Sequence, residues 1–260
     1  MVYSDSDLVL QSLTIRQGGG STAPGAGGGV VCGGRLTLTG CRVQDCVGIV
    51  GGGAMGAFVA VSHSRFERNV AILGGGLCSW SAGSLESTWF VDNQSEVGGG
   101  ATMLGAPVQI TACHFVSNTA VAGGAVALFS DLAAVPPLDG LADWAPPDGW
   151  EAAAPGADCH IVASEFLSNT AGELGGAIVT QLALTLDDCE LVGNTGGTGG
   201  GIVTMAPEPD LPDKAELSDW RAAGGGCSRT PVTVTLNSSA FINNTAEDAG
   251  GGAYVQGLLS

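Results

Sequence analysis

Basic residues are scarce in this sequence: eight Lys and Arg stand against 25 Asp and Glu, a formal net charge of −17. That balance repels phosphate backbones and anionic lipid headgroups, which excludes nucleic acid and the membrane surface as partners. A polyanionic polysaccharide would be repelled too, unless a bound cation intervened. Aromatic residues reach only 5%, so the interior must be layered from Val, Leu, Ile and Ala rather than built around large rings. No run approaches the roughly 18 apolar residues of a transmembrane helix, and MVYSDSDLVLQSLTIRQ lacks the basic-then-apolar order of a secretory signal. The three His fall at unrelated positions, and the eight Cys show neither CxxC nor zinc-type Cys/His spacing. A metal centre is therefore not expected. Loop carboxylates leave calcium open, although no EF-hand or Gly/Asp-rich calcium repeat is present.

What is abundant is glycine, 44 residues of it, arranged in a repeat. Aligned on an apolar anchor, the segments VQDC (Val43), FERN (Phe66), FVDN (Phe90), FVSN (Phe115), FLSN (Phe166), LVGN (Leu191) and FINN (Phe241) recur. Their period is about 24 residues, with two double-length steps, and a period of that size signals a stacked-repeat architecture. Apolar pairs seven and five residues before the anchor, such as Leu36/Leu38, Val59/Val61, Val108/Ile110 and Leu184/Leu186, alternate as a strand does. Cys41, Ser64, Thr88, Cys113, Ser164, Cys189 and Ser239 put a small side chain two residues before it. Three residues after it stand Asn69, Asn93, Asn118, Asn169, Asn194 and Asn244, with Cys46 the exception.

These Asn residues are expected to form a structural ladder, bonding one another and the backbone of their own bends, and to take up left-handed backbone there. Gly-Gly pairs at Gly52, Gly75, Gly99, Gly123, Gly175, Gly199 and Gly251 are expected to supply positive φ and close approach between neighbours. The pattern predicts an all-β fold: one single-stranded parallel β-helix of about eight coils spanning 1–260, right-handed by the general chirality of parallel connections. A degenerate first coil would carry Leu8, Leu10, Leu13 and Ile15 inward. The sequence starts and stops inside strand-like patterns without a polar cap, so it reads as a segment of a longer protein. Its open strand edges could then join end to end with another copy.

The pairing of Phe-x-x-Asn with Gly-Gly-Ala-Ile/Leu/Val resembles the repeat of the polymorphic outer-membrane protein family. FLSNTAGELGGAI (Phe166 to Ile178), FVSNTAVAGGAV (Phe115 to Val126) and FVDNQSEVGGGA (Phe90 to Ala101) carry the likeness, which covers most of Val43 to Val255. The resemblance implies a right-handed β-helix, a cell-surface or secreted location and an adhesin-like passenger role. The outer-membrane barrel and signal sequence of a complete autotransporter are not in this sequence.

Two insertions, 131–158 and 206–226, interrupt the repeat at one place in the coil, two coils apart, and should project from one edge. Both contain a related tetrapeptide, LADW and LSDW. Trp144, Trp150 and Trp220 beside Asp143, Asp148 and Asp219 are the candidate ligand-binding residues, a wall on which a sugar or a protein partner could stack. Against this stands the simpler role of pinning each Pro-rich loop to the coil. Cys159 and Cys227 end the two insertions and could bridge in an oxidising compartment, whereas the other Cys read as buried thiols. Asp187-Asp188 is the one adjacent Asp pair a hydrolytic reading could use, with Asp187 facing outward. The expected function is a non-catalytic, surface-exposed or secreted scaffold that binds carbohydrate or a host or cell-surface protein. The alternative is a polysaccharide-binding or polysaccharide-active β-helix with its cleft between the two loops.

Overall fold

The computed structural model describes residues 1–19, 27–130, 135, 138, 141, 158–205, 232–255 and 257–259. Those residues form a parallel β-helix. An eight-stranded sheet collects one three-residue strand per coil, from Thr14–Arg16 through Arg42–Gln44, Arg65–Glu67, Trp89–Val91, His114–Val116, Glu165–Leu167 and Glu190–Val192 to Ala240–Ile242. In this anchor row Val43, Phe66, Phe90, Phe115, Phe166, Leu191 and Phe241 pair in that order, so the sequence repeat is the strand register.

A 16-stranded sheet holds two further rows. One follows each glycine corner, as in Leu77–Ser79, Ala101–Leu104, Val126–Phe129 and Ile178–Thr180; the other precedes each anchor, as in Gly83–Glu86, Val108–Thr111, Asp158–Val162 and Ala183–Asp187. They count as one sheet because Val30–Thr39 and Ala54–Ser62 run unbroken through both rows, whereas later coils turn between them. A four-stranded side sheet, Thr119–Ala122, Thr170–Leu174, Thr195–Thr198 and Thr245–Ala249, completes the cross-section. No helix among the described residues is long and apolar enough to cross a membrane.

The few aromatics are concentrated where they stack. Phe66, Phe90, Phe115 and Phe166 lie face to face inside the coil, with centroids 4.8–5.0 Å apart and planes within 5°. Beside them runs the Asn ladder. Asn93 Oδ1 accepts both the backbone N–H and the Nδ2 of Asn69 at 3.0 Å, and Asn69 Nδ2 also donates to Val43 O at 3.0 Å. The same bonds recur from Asn93 to Asn118, Asn118 to Asn169, Asn169 to Asn194 and Asn194 to Asn244. Cys46 keeps one half of the pattern: its N–H donates to Asn69 Oδ1 at 3.1 Å, and its Sγ accepts from Gly18 N at 3.4 Å.

Two expectations about this corner need correction. The Asn side-chain bonds run to the neighbouring coils rather than within their own bends, because a stacking distance of about 4.8 Å places the next coil's carbonyl within reach. Left-handed backbone belongs to the residue before each Asn: Asp45, Arg68, Asp92, Ser117, Ser168, Gly193 and Asn243 all have φ between 52° and 65°. None of the ladder Asn residues themselves has positive φ.

The small-residue slot is a second ladder. Cys41 N donates to Ser64 Oγ (3.0 Å), Ser64 N to Thr88 Oγ1 (3.4 Å), Cys113 N to Ser164 Oγ (3.0 Å) and Cys189 N to Ser239 Oγ (3.1 Å). Ser, Thr and Cys interchange there because each offers a compact acceptor. Leu13 occupies the same slot in the first coil, and it is 45% exposed rather than inward.

At the glycine corner the positive-φ residue is the first of each run: Gly51, Gly74, Gly98, Gly123, Gly175, Gly199 and Gly250. In the Gly-Gly-Gly coils Gly51, Gly74, Gly98 and Gly250 therefore displace the expected Gly52, Gly75, Gly99 and Gly251 by one residue. The second glycine serves close approach. A Cβ on Gly124 would lie 2.2 Å from Gly176 O in the next coil.

A second apolar cluster lies on the outer side of the glycine row. Met55, Cys78, Ala127, Val179 and Val203 point away from the coil interior yet are buried, covered by Val50, Leu73, Val97 and Ala122 from before the glycine corners. Val135 and Leu138 of the first insertion are buried in this cluster, with Leu141 packed against it. That part of the insertion lies down on the coil rather than projecting.

Candidate functional site

Both insertions join the same two rows. The first separates Val126–Phe129 from Asp158–Val162, and the second separates Ile202–Thr204 from Val232–Asn237. Register places these junctions two coils apart, as Val126 pairs Ile178 and Ile178 pairs Ile202. The six candidate residues Asp143, Trp144, Asp148, Trp150, Asp219 and Trp220 lie outside the described residues, as does Cys227. Cys159 is a free thiol facing the interior and fully buried, so it does not stand on the edge a bridge would need.

The strands that receive the insertions carry a strip of outward polar side chains. Alternation puts Thr37, Ala60, Ser84, Gln109, His160, Thr185 and Thr235 in one column, and Thr39, Ser62, Glu86, Thr111, Val162, Asp187 and Asn237 in the next. Between coils two and five these columns border a shallow trough of about 330 Å³ lined by Thr37, Ser62, Ser84, Glu86, Gln109 and Thr111. A second, of about 290 Å³, lies at the turn between the rows, where Ala82 and Gly83 leave space beside Arg35, Phe58 and Pro107. Arg35 reaches over the Phe58 ring, 5.8 Å from its centroid. In later coils the insertions arise from this same corner.

Nearest the insertions, His160 Nε2 hydrogen-bonds Asp187 Oδ2, and Asn237 Nδ2 donates to Asp187 Oδ1 at 2.6 Å. These three residues come from the strands immediately after the first insertion, between the two, and after the second. The His160 and Asn237 bonds hold the Asp187 carboxyl below its ordinary range. Asp188, its sequence neighbour, is exposed in the turn at φ 52°, so the adjacent acids do not act as one pair. Chemically, Asp187 orients the imidazole and leaves Nδ1 as the second ring nitrogen, the geometry of an oriented base.

Sequence spacing missed this cluster because its members meet across coils, 27 and 50 residues apart. The signal was present in the register: His160 and Thr185 share a slot, and Asp187 stands two residues after it, diagonal to His160 across the ladder. His114 was missed in the same way; its Nδ1 lies 3.0 Å from Glu165 Oε2. His63 is a turn residue at φ 49°. No group of three or more His, Cys, Asp or Glu able to hold a metal occurs among the described residues. No family model, curated protein or solved structure matches the chain.

Proposed function

We propose that this chain is a non-catalytic β-helical scaffold, displayed at a cell surface or secreted, that binds a linear hydroxyl-rich carbohydrate along its polar strip beside the strands at which the two insertions root. The carrying observation is the convergence on one face: two insertions root at one corner, two coils apart, directly beside the columns of Thr, Ser, Gln, His, Asp and Asn side chains. Donors and acceptors repeated every ~4.8 Å suit an extended polymer better than a compact ligand. The likeness of the repeat to polymorphic outer-membrane passengers supports the location and the adhesive role.

The test is a glycan-array screen of the purified chain beside a Gln109→Ala/His160→Ala variant and a Trp144→Ala/Trp220→Ala variant, with circular dichroism to confirm β structure in all three. Saturable binding reduced in both variants supports the reading. No binding by the folded parent overturns it. A second reading, polysaccharide cleavage, is favoured by the oriented His160–Asp187 pair. It requires that bound polymer be shortened and that Asp187→Asn abolish shortening without abolishing binding.

A further inference from the structure

A different face, the outward side of the anchor row, carries a column of opposite chemistry at its two ends. Over the six central coils one residue each gives Arg42, Arg65, Trp89, His114, Glu165 and Glu190, paired consecutively in register, with the uncharged Thr14 and Ala240 beyond them. The adjoining column is aliphatic over its later coils, with half-buried Val91, Val116, Leu167 and Val192. Trp89 is not a sugar platform: His114 stacks on it at 3.9 Å and 18°, and the Arg65 guanidinium lies 5.9 Å from its centroid along the same column. Its edge remains outward, and it is 41% exposed.

The polarity extends to the whole molecule. Residues 1–73 hold five Arg against four Asp and Glu, while the rest holds three Lys and Arg against 21 Asp and Glu. The early arginines are tied but not exhausted. Arg42 and Arg65 each give one bond to Glu67 Oε2, at 2.7 and 2.9 Å, leaving other guanidinium donors to solvent.

We propose that this face is a self-complementary docking surface and that its occupant is a second copy of this chain lying antiparallel. A two-fold axis along the strand direction reverses the column, so that Arg42 meets the second copy's Glu190, Arg65 its Glu165 and Trp89 its His114. In the adjoining column the same operation sets Val91 opposite Val116 and Glu67, which Arg42 and Arg65 already bind, opposite Leu167. An isologous contact requires this kind of palindrome, in which each pair occurs twice. Neither a parallel arrangement nor a uniformly acidic partner satisfies both ends. Six coils span about 24 Å, and a face three residues wide buries well under the ~1,200 Å² of a standard stable interface. The contact is therefore weak and transient, and it is salt-sensitive because its charges are exposed.

Sedimentation velocity over a concentration series at low and high salt tests it, with Glu190→Arg, the double variant Glu190→Arg/Arg42→Glu, and Glu247→Arg on the side sheet as a control of equal charge change. The expected results are dimer at low salt, loss of at least about tenfold in affinity for Glu190→Arg, recovery in the double variant, and no loss in the Glu247→Arg control. Circular dichroism checks that each variant is folded. A folded parent that stays monomeric throughout overturns the proposal and leaves the face to a partner of other chemistry. Dimerisation that Glu190→Arg does not weaken, or that the double variant does not restore, overturns it equally.

Discussion

Asn118 stands in the middle of the ladder and is fully buried. Its Oδ1 accepts the backbone N–H and Nδ2 of Asn93, each at 3.0 Å, while its Nδ2 donates to Phe90 O at 2.9 Å and to Asn169 Oδ1 at 3.0 Å. Asn118→Ala removes all four bonds. Asn169 Oδ1 still accepts the backbone N–H of residue 118, and Asn93 Nδ2 still reaches Phe66 O. The Asn93 N–H and the Phe90 carbonyl lose side-chain partners in a buried position, at ~1–3 kcal/mol for each group left unsatisfied. With a small cavity added, the expected loss is about 3–6 kcal/mol, read as a fall in the denaturant midpoint at unchanged m-value. Asn118→Asp sharpens the test. The carboxylate still accepts from Asn93 but turns an oxygen toward Phe90 O and Asn169 Oδ1; protonation restores a donor, so its deficit should shrink as pH falls. A loss below about 1 kcal/mol for Asn118→Ala would refute the reasoning that the ladder bonds are the coil's unreplaceable polar contacts.

Cys46 is the ladder's missing rung, in a buried site equivalent to that of the Asn residues; Cys46→Asn should add about 1 kcal/mol of stability by completing it, and a loss on equilibrium unfolding would contradict the register. Gly124→Ala, whose Cβ would sit 2.2 Å from a backbone oxygen, should cost about 2–4 kcal/mol. Gly100→Ala should cost less than Gly124→Ala: its Cβ would lie 2.7 Å from Ala125 O and 2.9 Å from the Phe115 ring, but Ala125 and Ala177 fill the equivalent position in later coils; thermal melts of the two variants rank them. Hydrogen bonds from Arg65, then Arg42 and Arg68, hold Glu67 down to about 2. That contribution is complete above the unfolded value of 4.5 and is lost as pH falls toward 2, so Glu67→Gln should flatten the acid limb of stability against pH. Burial pushes the Cys113 and Cys159 thiols up to about 11 and about 12. Their contribution is complete below pH 9 and falls above it by about 1.4 kcal/mol per pH unit for each thiol; Cys113→Ser/Cys159→Ala should remove that alkaline slope.

The fold was legible because a β-helix writes its register into the sequence. Phe66, Phe90, Phe115 and Phe166 recur at the coil period and are stacked neighbours. The Asn and small-residue columns followed from the same alignment. Backbone detail was not legible: which of Gly51 or Gly52 takes positive φ depends on where the corner closes against the next coil, a contact that no local pattern encodes. Val135 and Leu138 were unreadable for a similar reason, since the outer cluster they enter is assembled from several coils. The polar site was half hidden. Asp187 stood out as an outward acid, but His160 and Asn237 become its partners only when register carries them across the sheet. Trp144, Trp150 and Trp220 were conspicuous as residue types, and the six loop candidates lie outside the described residues.

The central claim is that a self-sufficient coil presents binding elements at one corner. Replacing 142–157 and 206–231 by short Gly-Ser linkers keeps Val135, Leu138 and Leu141 on the outer cluster and tests the claim directly, by glycan and cell-surface binding measured beside unfolding of the same samples. The account predicts an unchanged β-type circular dichroism spectrum, cooperative unfolding within about 1 kcal/mol of the parent, and binding reduced at least about tenfold. Full binding without the insertions, or a chain that no longer folds, would contradict it.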